Sequence, residues 1–241
     1  MESSITQALL DQLLQLPEYA VWILFLAENI TITTAVLLTG RFLQKRFSLS
    51  PFTRYQYTLR EWFICAITNL LNTLVTYAGF WLWKNGFLIM DMSASILILL
   101  DFLILFLAMD LLMYIFHYII HKTFLYKAMH GMHHLAIDPK PIDLFVLHPI
   151  ETICFGGLWL MLLLVYPFNV YAIILYLTVN VIFGMFGHLG LEPLPQKMRN
   201  HILLKYLSTS TFHHQHHQDV QHNFGFYTTL WDRLFGTLQK S

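Results

Sequence analysis

Three histidine groups carry the chemistry this chain could perform: His117-x-x-x-His121, His130-x-x-His133-His134 and His213-x-x-His216-His217. Neutral imidazole is a ligand for iron, zinc, copper and nickel. All thirteen histidines follow residue 116, a distribution that chance scatter does not produce. Residues at i, i+3 and i+4 share a helical face. Each group is therefore expected to aim two or three imidazoles at one point. Eight such ligands exceed the needs of one ion, whereas two ions with about five ligands each ask for about ten. His148 in "LHPIE" and His188 in "GHLGLEP" bring the set to ten. His201, His214 and His222 are left over, read as hydrogen-bonded or spare.

Carboxylates stand beside these motifs. Asp110, Tyr114, His117 and His121 fall at i, i+4, i+7 and i+11, one stripe of a helix. An apolar helix does not hold an aspartate at depth without reason. A metal cage built only from neutral imidazoles keeps its positive charge, which nearby carboxylates compensate while orienting ligands through their free ring N–H. Asp110 is expected to hydrogen-bond a ligand histidine. Tyr114, Glu151 and Asp232 are further candidates for this outer ring.

The elements that must position these residues are membrane helices. The 241 residues are 56% hydrophobic and 12% charged, with mean hydropathy +0.55; soluble domains carry about 25% charged residues. Zero net charge gives no electrostatic case for nucleic-acid binding. Cys65 and Cys154 sit in apolar runs and offer neither a disulfide framework nor a zinc–thiolate site. The N-terminus lacks a signal-peptide pattern, and 1–19 reads as a short interfacial helix. Apolar spans are expected at about 20–39, 62–83 and 95–121, followed by a hairpin of two short helices over 152–188 broken at Pro167. The fold class is thus an all-α integral membrane bundle of about four spans, one domain over 1–241, with a helical cap holding the histidines. Thirteen Lys and Arg flank one side, including Arg54 and Lys240, and only Lys84 the other. By the positive-inside rule the histidine side is cytoplasmic, with Glu2, Asp11 and Glu18 outside. A histidine-rich metal transporter would want ligands along the spans, and a zinc hydrolase would want three ligands and an acid/base such as HExxH. Neither pattern is present.

The ordered set resembles the fatty acid hydroxylase/sterol desaturase superfamily of membrane di-iron enzymes. "DLLMYIFHYIIH" (110–121), "HGMHH" (130–134), "HPIE" (148–151), "HHQHH" (213–217), "NFG" (223–225) and "WDRLFGT" (231–237) follow in family order; the likeness covers roughly 100–240 and implies a hydroxylase-like catalytic region over 95–241. It implies two iron ions held by the ten histidines, with zinc able to occupy the same imidazoles, and O2 as co-substrate. It implies a lipid substrate from the bilayer, fatty acyl or sterol-like, in a bacterial inner membrane or the endoplasmic reticulum. Hydroxylation of an unactivated C–H bond is the first reading, desaturation on the same site the alternative. "HPIE" is not the haem-binding HPGG, so electrons are expected from a separate cytochrome b5-like protein, ferredoxin or reductase. Two departures stand out. Tyr118 replaces an arginine common after the first histidine, and Gly184 stands where some members carry a partner for His188.

Overall fold

The computed structural model describes residues 5–47, 56–202 and 204–239; Glu2, Arg54 and Lys240 lie outside them. The described residues are helical and contain no β-strand, only two isolated bridges. Helix α1 (Ile5–Gln15) ends before Pro17, whose carbonyl accepts the first amides of α2 (Glu18–Phe47). Helix α3 (Leu59–Lys84) begins with a reciprocal cap. Thr58 Oγ1 accepts from Glu61 N at 3.2 Å, and Thr58 N donates to Glu61 Oε2 at 2.6 Å. Helix α4 (Leu97–Lys122) carries the first histidine pair. Helix α5 (Pro149–Val165) and α6 (Val170–Gly187) form the hairpin, and Asn169 caps α6 by accepting from Tyr171 N at 2.9 Å. Short helices α7 (Gln196–Arg199), α8 (Ser210–Gln218) and α9 (Leu230–Phe235) follow. Helices α2, α3, α4 and α6 are long and apolar enough to cross a membrane; α5, at 17 residues, falls just short.

Most apolar side chains on the spans face outward, as a lipid solvent permits. The packed interior instead mixes aromatic with small polar groups. Thr33 Oγ1 donates to Asn69 Oδ1 at 2.9 Å, joining α2 to α3, where an unpaired polar atom in lipid would cost several kcal/mol. Beneath the histidines, Leu105, Met109, Met113, Tyr176 and Tyr227 tie α4 and α6 to the C-terminal segment. A polar knot closes the opposite end of the bundle. Asn169 N donates to Asp101 Oδ2 at 2.8 Å, and its side-chain amide donates to Asp91 Oδ2 and to the Ser93 carbonyl. The C-terminal end of α2, the N-terminal ends of α3 and α5, and the C-terminal ends of α4 and α6 all meet at the histidine end.

Candidate metal centre

Nine of the ten expected histidines converge there, in two abutting groups. His117, His121, His130, His134 and His216 form one; His133, His188, His213 and His217 form the other. Within each group every candidate ligand nitrogen lies within 4.8 Å of the others, and all nine residues are buried. The rings of His134 and His217, one from each group, are 4.6 Å apart.

The expectation that each motif aims at one point is corrected by this arrangement. The i, i+4 pairs 117/121, 130/134 and 213/217 each stay within one group. The i+3 residues His133 and His216 cross to the other. On a helix, residues three and four ahead of a common origin diverge by about 100°. An HxxHH triplet between two centres thus gives a pair to one and a single ligand to the other. The middle motif adopts this outside an α-helix, in a π-helical turn at Tyr126–His130 and a 3-10 turn at His133–Leu135.

Five of the nine rings meet a partner outside the cage that sets their tautomer. A carbonyl can only accept, so each histidine facing one donates Nδ1–H and leaves Nε2 bare. His117 Nδ1 donates to Phe224 O at 2.9 Å, His216 Nδ1 to His222 O at 2.7 Å and His188 Nδ1 to Gly184 O at 2.9 Å. His133 Nδ1 points at Val146 O at 3.4 Å, a long contact. His130 Nδ1 meets the buried Glu151 carboxylate at 2.7 Å. The bare nitrogens then confront one another: His117 Nε2 is 3.0 Å from His130 Nε2, and His188 Nε2 is 3.2 Å from His133 Nε2. Two lone pairs at that distance repel unless a cation joins them. Ligand nitrogens about 2.1 Å from an ion and at right angles around it are themselves about 3.0 Å apart. His216 Nε2 is likewise buried with no hydrogen-bond partner. Burial pushes the pKa of His130 and His133 down to about 3 and that of His188 to about 4, so their lone pairs are available at neutral pH. The donor set fits two divalent cations.

His148 belongs to neither group. It caps α5, where its Nδ1 accepts from Ile150 N at 3.3 Å. The neutral ring then carries its proton on Nε2, opposite to His117, His133, His188 and His216. His201, His214 and His222 also lie outside both groups; His214 pairs with Asp138 and His222 with Asp219.

Of the four outer-ring candidates, Glu151 alone touches a cage histidine directly. The expected bond from Asp110 to a ligand histidine gives way to four others. Its carboxylate, 0% exposed, accepts from Tyr227 N (2.8 Å), Thr228 N (3.3 Å), Thr228 Oγ1 (2.6 Å) and Trp231 Nε1 (2.9 Å). Asp110 stands seven residues before His117, about 10 Å along the axis, where it meets the C-terminal segment rather than the cage. Asp232 accepts from Phe224 N and Gly225 N, both at 2.8 Å, and from Thr237 Oγ1 at 2.7 Å. Thr237 in turn receives Tyr114 OH at 2.9 Å. These three residues thus hold the segment that presents the Phe224 carbonyl to His117. Where a fixed arginine was missed at position 118, the Lys122 ammonium lies over the Tyr118 and Phe224 rings.

Asn223, at φ 61°, turns the chain into this segment, a conformation asparagine tolerates better than most residues. At Gly225 a β-carbon would strike the Thr228 carbonyl and come within 2.8 Å of Asp232 Oδ2. Gly225→Ala is therefore expected to destabilise the protein by about 2 kcal/mol, measured as a lowered thermal midpoint in detergent. An unchanged midpoint would show that the segment yields freely.

Residues 102–237 match the model of the fatty acid hydroxylase family. Human lathosterol oxidase is 32% identical over 135 residues, 54% of this chain and 42% of that protein. A very-long-chain aldehyde decarbonylase of Oryza sativa subsp. japonica is 30% identical over 71% of this chain and 28% of its own length. The Delta(7)-sterol 5(6)-desaturase of Leptosphaeria maculans is 28% identical over 54% of this chain and 35% of its own. The chain thus spans less than half the length of these relatives. No solved structure matches it.

Proposed function

The chain belongs to the fatty acid hydroxylase family, and on that premise we propose that it is a membrane oxidoreductase that hydroxylates an unactivated C–H bond of a lipid with O2. The observation that carries this reading is the double cage of nine buried histidines whose ring nitrogens face one another without a donor between them. Two irons held there would supply the one-electron oxidising power that such a bond requires. The nine clustered histidines are the proposed ligands, five on one ion and four on the other. The chain's own part is to hold those rings neutral, fix their tautomers and keep bulk water out. The relatives' names, an oxidase and a desaturase of sterols among them, favour a hydrophobic substrate. Phe226 supports the same choice: its ring lies 5.5 Å from His117 and 6.4 Å from His213 and packs against the apolar cluster that contains Met113 and Tyr227. Phe155 of α5 packs against it at 5.6 Å. A lipid entering beside α5 and α6 would meet this aromatic floor. The basic flanks favour a cytoplasmic histidine end, open to a separate electron-donating protein.

Desaturation of the same lipid is the second reading, favoured by the desaturase among the relatives. Total lipids of cells expressing the natural chain or His217→Ala separate the two. A lipid that gains one oxygen only with the natural chain supports hydroxylation. One that loses two hydrogens supports desaturation. Identical lipids, with a working electron donor present, would reject both.

Glu151 should make His130 a better ligand by accepting its Nδ1 proton. Glu151→Gln keeps an acceptor but removes the charge. It is expected to weaken metal retention by about 10- to 100-fold, read by chelator competition. Unchanged retention would reduce Glu151 to a packing residue.

A further inference from the structure

The two histidine groups are braced from different parts of the chain. His117 and His216 donate to the carbonyls of Phe224 and His222, inside the region shared with the family. The four-histidine group leans on helices that precede that region. As α6 ends, His188 and Leu189 still donate backward into it, and Gly190 at φ +74° turns the chain away. Carbonyls at such an end lose their helical partners. The Leu189 carbonyl, adjoining His188, accepts instead from Gln44 Nε2 of α2 at 2.7 Å. Gln44 is 2% exposed, an uncommon place for an amide unless it is paired. One turn earlier on the same face, Gly40 lets Pro141 approach; a β-carbon there would lie 2.7 Å from Pro141 Cγ. Pro141 opens the turn Pro141–Phe145, which ends beside the Val146 carbonyl faced by His133. Lys140, just before it, pairs with Glu61 of α3. Both His133 and His188 thus trace their placement to α2 and α3.

We propose that Gln44 is a positioning residue for the four-histidine group, so that α2 governs retention of one ion and not the other. The inference rests on the two-ion reading above. Gln44→Met keeps length and volume but removes the donor. In the purified full chain loaded with Fe(II), one ion of Gln44→Met is expected to be lost to a chelator at about 10- to 100-fold lower concentration than in the natural chain. The other ion should be unmoved. In a His188→Ala background the second change should add nothing, because both act on one ion. In a His117→Ala background it should weaken the ion that remains. Thr33→Val, which cuts the Asn69 bond between α2 and α3 away from the cage, controls for general loosening and should leave both ions in place. Retention of both ions by Gln44→Met, equal weakening of the two, or the same loss in Thr33→Val would overturn the assignment. A natural chain that holds fewer than two ions would instead overturn the two-ion reading itself, and this inference with it.

Discussion

Asp110→Ala is expected to abolish metal retention without touching a single histidine. Its carboxylate gathers four donors from Tyr227, Thr228 and Trp231, and none of its surface is exposed. Removing it strands those donors in an interior with no water to replace the acceptor. Each stranded group costs about 1–3 kcal/mol, so the loss is about 4 kcal/mol or more. That is a large part of the roughly 5–15 kcal/mol by which domains are stable. The damage travels along the chain. Once 227–231 loosens, Asp232 loses its place, and with it the bonds that hold Phe224 and Gly225. The Phe224 carbonyl then no longer fixes the His117 tautomer. Asp110→Asn should be milder at Thr228, whose hydroxyl can turn. It should still fail where its amide N–H₂ meets the Trp231 N–H, since two donors cannot pair. The readout is the yield of monodisperse protein and the metal bound per chain. An Asp110→Ala chain that keeps both ions and its thermal midpoint would show that the C-terminal segment stands without this anchor.

The clustered histidines were legible in the sequence; what orients them was not. Histidine spacing pointed to eight converging residues because i, i+4 pairs share a face, and of the two added to complete ten, His188 joins them and His148 does not. The same spacing concealed the division between two groups, which depends on how three separate segments approach one another. His148 looked equivalent to His188, since either could complete a set of ten. The difference lies in a proton: the Ile150 amide occupies the His148 Nδ1 lone pair, whereas the Gly184 carbonyl takes the His188 Nδ1 proton. Backbone carbonyls orient four of the five rings whose tautomers are fixed, and a carbonyl leaves no mark in a residue alphabet. Gln44 gave no signal either, since one glutamine near the end of a long apolar helix looks like a snorkelling surface group. Asp110 was visible as a buried acid on the histidine stripe, but its partners lie more than a hundred residues away in sequence. The spans and the hairpin break were plain because hydropathy and Pro167 act locally. The π-helical turn at 126–130 was not, since no local sequence signal marks it.

Acid should separate the metal-free chain from the loaded one by a wide margin. Outside the spans, burial holds seven cage histidines below the ordinary imidazole range, including His133 at about 3 and His188 at about 4. The unfolded chain protonates these rings near pH 6.5. Between that value and the depressed folded values the unfolded state binds more protons, so stability falls as pH drops. At pH 5 the cost is about 2 kcal/mol for each of His130, His133 and His188, and the other four rings add to it in the same direction. Buried carboxyls work the other way: burial pushes Asp143 up to about 6 and Glu151 to about 7 and raises Asp232 as well, so protonating them offsets part of that cost over the same window. The seven rings outnumber these acids, so the metal-free chain is expected to lose stability as the pH falls towards 5. Bound ions change the competition, because protons must then displace a metal from each Nε2. The loaded chain should hold its midpoint through the window in which the metal-free chain loses it. Thermal midpoints from pH 7.5 to 5, with and without Fe(II), measure both curves. A flat metal-free curve would mean that the rings gain water or partners on acidification and that the cage is less sealed than its burial implies. Two parallel falling curves would mean that the ions do not engage these nitrogens, which would remove the chemical basis of the proposed reaction.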